Sequence, residues 1–226
     1  LVKPATGNLE AYALYLKGRF FVNRLAEHDL HKAQSLFEQA LDADPGYARA
    51  YSGIADCWSN LADDWVAPEV AYPKAKSAAT RAVQLDPTLG EAHTSIGKVL
   101  CWYEWDFEGA SQALAKAVEY NPNYAEAHFV YGSTLPAVGR LVEAIDEMRK
   151  ALVLDPLSAH FSRWLGRFLL YAERYEATVE QSRKTLEIEP SYFQAYLDIG
   201  AAELARGKVD ASLAAFRKGQ SLSTAV

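Results

Sequence analysis

The chain has 226 residues, 50% apolar and 12% aromatic, and its 23 basic and 29 acidic side chains give a formal net charge of −6. That mix excludes a disordered chain. The acidic balance argues against a nucleic-acid or anionic-membrane surface, which needs net or clustered positive charge. Apolar runs such as Val99–Tyr103 and Phe168–Ala172 are only five residues long, far short of a membrane span. The first eight residues lack a signal-peptide core and read as a linker. The chain does not begin with Met and its one methionine is Met148, which suggests a piece of a longer protein. Cys57 and Cys101 make neither a disulfide framework nor a metal cluster, and read as buried thiols of a cytoplasmic protein.

Prolines set the organisation. They recur at Pro45, Pro87, Pro122, Pro156 and Pro190. The first interval is the longest, and the later ones settle at a nearly constant period. Each proline follows an acidic residue or Asn: Asp44, Asp86, Asn121, Asp155 and Glu189. Ten residues after each proline stands a small residue: Ala55, Gly97, Gly132, Gly166 and Gly200. A fixed period of this length is the mark of a repeat architecture.

In chain order the repeats are about 9–45, 46–87, 88–122, 123–156, 157–190 and 191–220, followed by a tail, 221–226. The first places Leu16, Gly18, Ala33, Phe37 and Ala40 on its apolar stripes. The second carries about eight extra residues, and its segment Ala62–Pro73 holds two prolines that rule out one uninterrupted helix. There Trp65, Val66, Val70 and Tyr72 are expected to fold back onto the neighbouring pair. The third contains the aromatic run Trp102–Phe107, expected mostly in the core, with Asp106 as N-cap of the next helix. The fourth is the cleanest. A helix from Ala125 carries His128, Tyr131, Gly132 and Leu135 on one face, Gly139 ends it, and a second carries Leu141, Ala144, Ile145, Met148 and Ala151. In the fifth, Thr178, Ser182 and Thr185 replace apolar residues, which predicts looser packing and a bend. The sixth has Ile199, Gly200, Gly207 and Phe216. No strand pattern appears.

This unit resembles the tetratricopeptide repeat, two antiparallel helices in about 34 residues. The resemblance implies an all-α right-handed superhelical solenoid of about six helix pairs. Three stretches narrow it: Leu14-Tyr15-Leu16-Lys17-Gly18-Arg19, Trp102–Phe107 and Asp155-Pro156-Leu157-Ser158. They are similar to arrays at the C-termini of bacterial multidomain regulators, among them winged-helix transcription regulators, class III nucleotide cyclases and serine/threonine kinases. The resemblance implies a regulatory or interaction module with its first helices lining a concave groove. The residues it would place there include Tyr12, Tyr15, Arg19, Arg49, Asp56, Lys98, Phe129, His160, Arg163, Arg167 and Tyr171. Arginine forks and aromatic rings suit an extended, acidic peptide or a partner helix. The chaperone-tail clamp of the family is not expected, because its rows here hold Arg49, Ser52, Asp56, Glu91, Thr94 and Lys98.

Catalytic chemistry is disfavoured. HExxH, CxxC and GxSxG are missing, and Gly90–Lys98 departs from a phosphate loop in spacing and in Val99. His93 and His128 share one repeat position and read as packing residues rather than metal ligands. No cofactor, metal, nucleic acid or membrane partner is expected. The alternative to a peptide groove is a homodimer that pairs two output domains through exposed Leu197, Leu204 and Leu213 of an uncapped last pair.

Overall fold

The structure, a computed structural model, describes residues 6–62 and 64–223. Among them are twelve α-helices: α1 (Leu9–Val22), α2 (Glu27–Ala43), α3 (Ala48–Leu61), α4 (Pro68–Leu85), α5 (Gly90–Trp102), α6 (Phe107–Tyr120), α7 (Ala125–Thr134), α8 (Leu141–Leu154), α9 (Ala159–Tyr171), α10 (Tyr175–Ile188), α11 (Phe193–Ala205) and α12 (Val209–Ser223). The expected all-α arrangement of six helix pairs is the one observed. The only strand-like feature among the described residues is an isolated bridge between Ala62 and Val66. The chain forms two compact units that meet in sequence at Val130 and Tyr131, within α7.

Within the first unit α1 packs on α2, α3 on α4 and α5 on α6; within the second, α9 packs on α10 and α11 on α12. First helices of consecutive pairs also touch, α1 with α3, α3 with α5 and α9 with α11. Small residues permit the close crossings. A Cβ on Gly97 would collide with Leu114, and one on Gly200 would lie 2.6 Å from Phe216. Phe37 is shared, its ring lying within 2.5 Å of where a Cβ would stand on both Gly18 and Gly53.

Each proline occupies the second position of a turn between pairs. The residue before it ends a helix, and its carbonyl accepts from the amide three residues on, as Asp44 does from Tyr47 (3.1 Å) and Asp86 from Leu89 (3.2 Å). The Asp side chains lock the turn: Asp44 Oδ1 accepts from the Gly46 amide (3.0 Å) and Asp86 Oδ1 from the Thr88 amide (3.0 Å). Proline presets the backbone angle such a turn requires. His93 and His128 contact the same turns, each placing Nε2 2.9 Å from the carbonyl of Pro87 or Pro122. Their repeated position is therefore structural.

The turn inside each pair repeats as well. Trp105, Gly139, Glu173 and Gly207, each one repeat beyond the last, all have positive φ (58°, 78°, 57° and 76°), as does Leu25 in the first pair (53°). Glycine accepts this left-handed geometry freely; other residues strain by roughly 1–2 kcal/mol. Part of that strain is offset because Gly loses about 0.5–1 kcal/mol more backbone entropy on folding. Exposed Glu173 should therefore gain about 0.5–1 kcal/mol from Glu173→Gly, read as a higher urea midpoint at unchanged m. An unchanged or lower midpoint would show that the turn is not strained.

Several expectations need correction. Of the linker 1–8, residues 1–5 lie outside the described residues, but 6–8 are anchored: Asn8 caps α1 and donates to the Ala43 carbonyl (2.8 Å), while Thr6 donates to Asp44. The tail 221–226 begins as helix, since α12 runs to Ser223; residues 224–226 lie outside the described residues. In Ala62–Pro73, where Asp63 lies outside the described residues, the second proline does not stop a helix. Pro68 starts α4 and Pro73 sits inside it, where it forgoes one helix bond without ending the helix. Val66 and Tyr72 fold back as expected, into a cluster with Ala62, Ala71, Ala75 and Val99, whereas Trp65 and Val70 remain exposed.

The aromatic run is mostly outside the core. Trp105 is 73% exposed and Trp102 is also exposed, because left-handed Trp105 turns outward just before the Asp106 cap. Tyr103 alone stacks inward, on Tyr72 at 5.2 Å. Leu16, assigned to the stripe of the first pair, is exposed. The α9/α10 seam is polar and hydrogen-bonded across the pair. Thr178, Ser182 and Thr185 are fully buried, and Ser162 Oγ lies 2.8 Å from both Thr185 Oγ1 and Gln181 Nε2. At the crossing a Cβ on Gly166 would stand 3.1 Å from Ser182 Oγ, more room than at Gly97, Gly132 or Gly200, and Ser182 Oγ is buried without a hydrogen-bond partner.

Candidate protein-interaction face

The residues expected in the groove lie on first helices, and many are joined to the next first helix by charge. In the first unit Arg19 on α1 donates to Asp56 Oδ2 on α3 at 2.7 Å. Ser95 on α5 donates to the other oxygen, Oδ1, at 3.1 Å. Asp56 thus bridges three helices. Burial alone would lower the affinity of Arg19 for its proton, but Asp56 outweighs it and holds the guanidinium charged. Lys98 on α5 meets Glu126 on α7 at 2.8 Å. There too burial opposes the charge, while Glu126 and Asp56 overcome it and raise the ammonium pKa. Glu91 accepts from Asn121 at 3.3 Å.

The second unit repeats the device with a different count. Arg163 and Arg167 on α9 both reach Asp198 on α11, at 3.3 and 2.7 Å. Asp198 is fully buried. Its carboxyl is pushed up by burial and pulled back by the two guanidiniums, with burial prevailing. The contacts are close ion pairs without hydrogen-bond alignment at the Arg163 and Arg167 Nε atoms. Each guanidinium also faces a ring, Arg163 over Trp164 (4.8 Å) and Arg167 over Tyr171 (5.8 Å).

Accessibility sorts the expected contact residues. Tyr12, Tyr171 and His160 are exposed, with His160 Nδ1 3.3 Å from Tyr192 Oη. Arg49, Arg163 and Arg167 are half-buried. Tyr15 is partly buried in the first core, edge-on to Tyr47 at 5.3 Å, and burial raises its phenol pKa. Asp56, Lys98 and Phe129 are buried. As exposed contact residues these three are corrected: two serve ion pairs between first helices, and Phe129 packs inside. Leu197 is corrected likewise, being half-buried against α12 at Gly219, while Leu204 and Leu213 are exposed. Sequence reasoning missed Ser95 and Asp198, which stand eight residues after their prolines, one step beyond the row taken to face inward.

A chain of antiparallel helix pairs, with small residues at each crossing and first helices tied by ion pairs, is a helical-hairpin repeat protein. Two segments, residues 24–63 and 102–159, match the tetratricopeptide repeat. The transcriptional regulator HilA of Salmonella typhimurium is 26% identical over 153 residues, 67% of this chain but 28% of HilA. The chain thus spans little more than a quarter of that relative. Among solved structures, PilF of Pseudomonas aeruginosa superposes with a TM-score of 0.69 at 16% identity, over 93% of this chain and 90% of that one. YrrB, described as a TPR protein with an unusual peptide-binding site, gives 0.64 at 17% identity, over 82% and 91%. TTC0263 of Thermus thermophilus gives 0.65 at 20%, over 86% and 99%. The chain carries tetratricopeptide repeats over these two segments, and the fold it shares with YrrB is that of a tetratricopeptide repeat protein. Among the described residues no helix is long and apolar enough to cross a membrane.

Proposed function

We propose that the chain is a protein-interaction module of a bacterial regulatory protein, and that it takes a peptide or helix of its partner on the α9/α11 face. The observation that carries this reading is the charge count: two arginines share one carboxylate, leaving net positive charge beside exposed His160 and Tyr171. In the first unit each ion pair is balanced, Arg19 with Asp56 and Lys98 with Glu126. A segment with a carboxylate and a neighbouring apolar side chain complements the α9 face. Its carboxylate meets the guanidinium edges and its apolar group meets Tyr171, 55% exposed. The similarity to HilA supports regulation as the setting. Cys57 and Cys101, both buried thiols, suit the cytoplasm, and the net charge of −6 favours protein over nucleic acid as partner.

The test is a fluorescence titration of the full chain with a Glu-rich peptide carrying one Phe. Tyr171→Ala should weaken binding about tenfold, the ~1.4 kcal/mol of one aromatic contact. Added salt should weaken it further, because the charges at this rim are partly solvated. Tyr171 is exposed and touches the Asp198 cluster only through its ring, 5.8 Å from the Arg167 guanidinium, and circular dichroism of the variant checks that the fold is kept. Binding unaffected by Tyr171→Ala and by salt would refute the assignment of this face.

A further inference from the structure

The second and third pairs, each with a neighbour on both sides, carry exposed tryptophans around adjacent turns of the first unit. Trp65 stands in the turn between α3 and α4, Trp102 at the end of α5, and Trp105 in the turn between α5 and α6. All three are exposed, as is Val70 in the first turn of α4. The two turns are packed together. Ala62 and Val66 of one share an apolar cluster with Val99 and Tyr103 of the other, and Tyr72 stacks on Tyr103 at 5.2 Å. Lys76 of α4 closes this edge on Glu104 at 2.6 Å. The backbone that presents Trp65 is held in place, because the amides of Trp65 and Val66 both donate to the Leu61 carbonyl, at 3.3 and 2.9 Å.

Folding of the pair does not call for the Trp105 indole. Its backbone is left-handed (φ 58°) where the fourth and sixth pairs have Gly139 and Gly207, so the turn forms with less strain when no side chain is present. The ring meets Phe107 edge-on at 6.1 Å and otherwise faces outward. A large apolar group kept exposed at a strained position marks a contact surface. The charge beside it is acidic. Asp64, Glu69 and Glu108, next in sequence to Trp65, Val70 and Phe107, are exposed and form no ion pair among the described residues. The lysines of these helices are engaged elsewhere: Lys76 with Glu104, Lys98 with Glu126, and Lys74 4.0 Å over the Trp58 ring.

We propose that this edge docks a partner protein through a basic segment that also carries apolar side chains. Lysine or arginine of that segment lies over the indole faces of Trp65 and Trp105, beside the carboxylates, while its aliphatic groups cover Val70 and the ring edges. Rigid indoles supply contact area at little entropic cost, and the carboxylates select the sign of the partner. The same carboxylates repel an anionic membrane surface. The inference uses no residue of α9 or α11 and asks for a ligand of opposite charge, so it stands apart from the acidic-peptide reading.

The test is the fluorescence anisotropy of a labelled amphipathic peptide of Lys and Leu, titrated with the full chain at physiological salt. Trp105→Gly should weaken binding about tenfold, yet keep or raise the urea midpoint, because glycine relieves the turn. Trp65→Ser should weaken binding by a similar factor. Asp64→Asn with Glu108→Gln should weaken it and flatten its dependence on salt. Tyr171→Ala, on the α9 face, should leave it unchanged, and phosphatidylglycerol vesicles should not bind the chain. Failure of the peptide to bind, binding indifferent to both tryptophans, or binding lost with Tyr171→Ala would each overturn the proposal. So would capture by the vesicles, or a lower urea midpoint for Trp105→Gly, which would make the indole a packing residue.

Discussion

Replacing both Arg163 and Arg167 with Met costs the fold about 3–5 kcal/mol, because Asp198 is left as a buried charge without a partner. Either arginine alone leaves one guanidinium in place and costs less. The loss depends on pH in a definite direction. Burial already raises the Asp198 carboxyl above its ordinary value, and the arginines are what oppose it. Removing them raises it further. A carboxyl whose folded pKa exceeds its unfolded value holds more protons in the folded state, so its destabilising effect is absent well below the unfolded pKa. The penalty appears as pH rises through the window between the two values. Urea unfolding of the variant at neutral pH should show the full deficit against the parent, shrinking as pH falls through the carboxylate range. Adding Asp198→Asn should recover most of it. A deficit of equal size at every pH would mean that lost packing, not the stranded charge, is responsible. This result also governs how the interaction face can be probed: reversing Arg163 and Arg167 to Glu would place three acids together and unfold the pair before any partner could be tested.

Phe37→Ala is expected to cost about 3–5 kcal/mol, at the upper range for a buried aromatic. The ring is fully buried and has two neighbours without side chains, Gly18 in its own pair and Gly53 in the next, with Tyr15 at 5.8 Å between centroids. Its removal opens a cavity that neither glycine can fill. A double-mutant cycle gives the sharper check. Gly53→Ala alone should destabilise, since its Cβ would lie within 2.5 Å of the ring. In the Phe37→Ala background the same change should be neutral or favourable, because the added methyl then enters the void. Additive effects would show that Phe37 and Gly53 do not share one packing site.

Much of this arrangement was legible in the sequence, because its causes are local. Proline after an acidic residue or Asn ends a helix at each of the places it occurs, so the period located every turn between pairs. The small residue ten positions on located every crossing. What stayed illegible depended on neighbours. Whether Leu16 is core or surface is decided by the presence of a preceding helix, which no pattern within α1 reveals. Trp105 reads as core by composition, and its exposure follows from a left-handed backbone that other pairs share. For Arg163 and Arg167, residue type and row marked a cation pair on one stripe of α9. Their partner Asp198 belongs to the next repeat, in α11, and stands one step off the expected row. Hydroxyls in α10 suggested looseness because apolar volume was missing, and no pattern within α10 reveals that Thr185 meets Ser162 of α9.

Asp56 has a consequence for how the first unit comes apart. In a linear array the free energy divides into a contribution from each helix pair and one from each junction between neighbours. A side chain touching only the adjacent pair preserves that division. Asp56 does not, because one carboxylate receives Arg19 from the pair before and Ser95 from the pair after. Opening either neighbour removes a donor from the same buried anion and weakens its hold on the other. The three pairs of the first unit are therefore thermodynamically one block, and fraying inward from α1 meets its main resistance at the second pair rather than diminishing evenly along the chain.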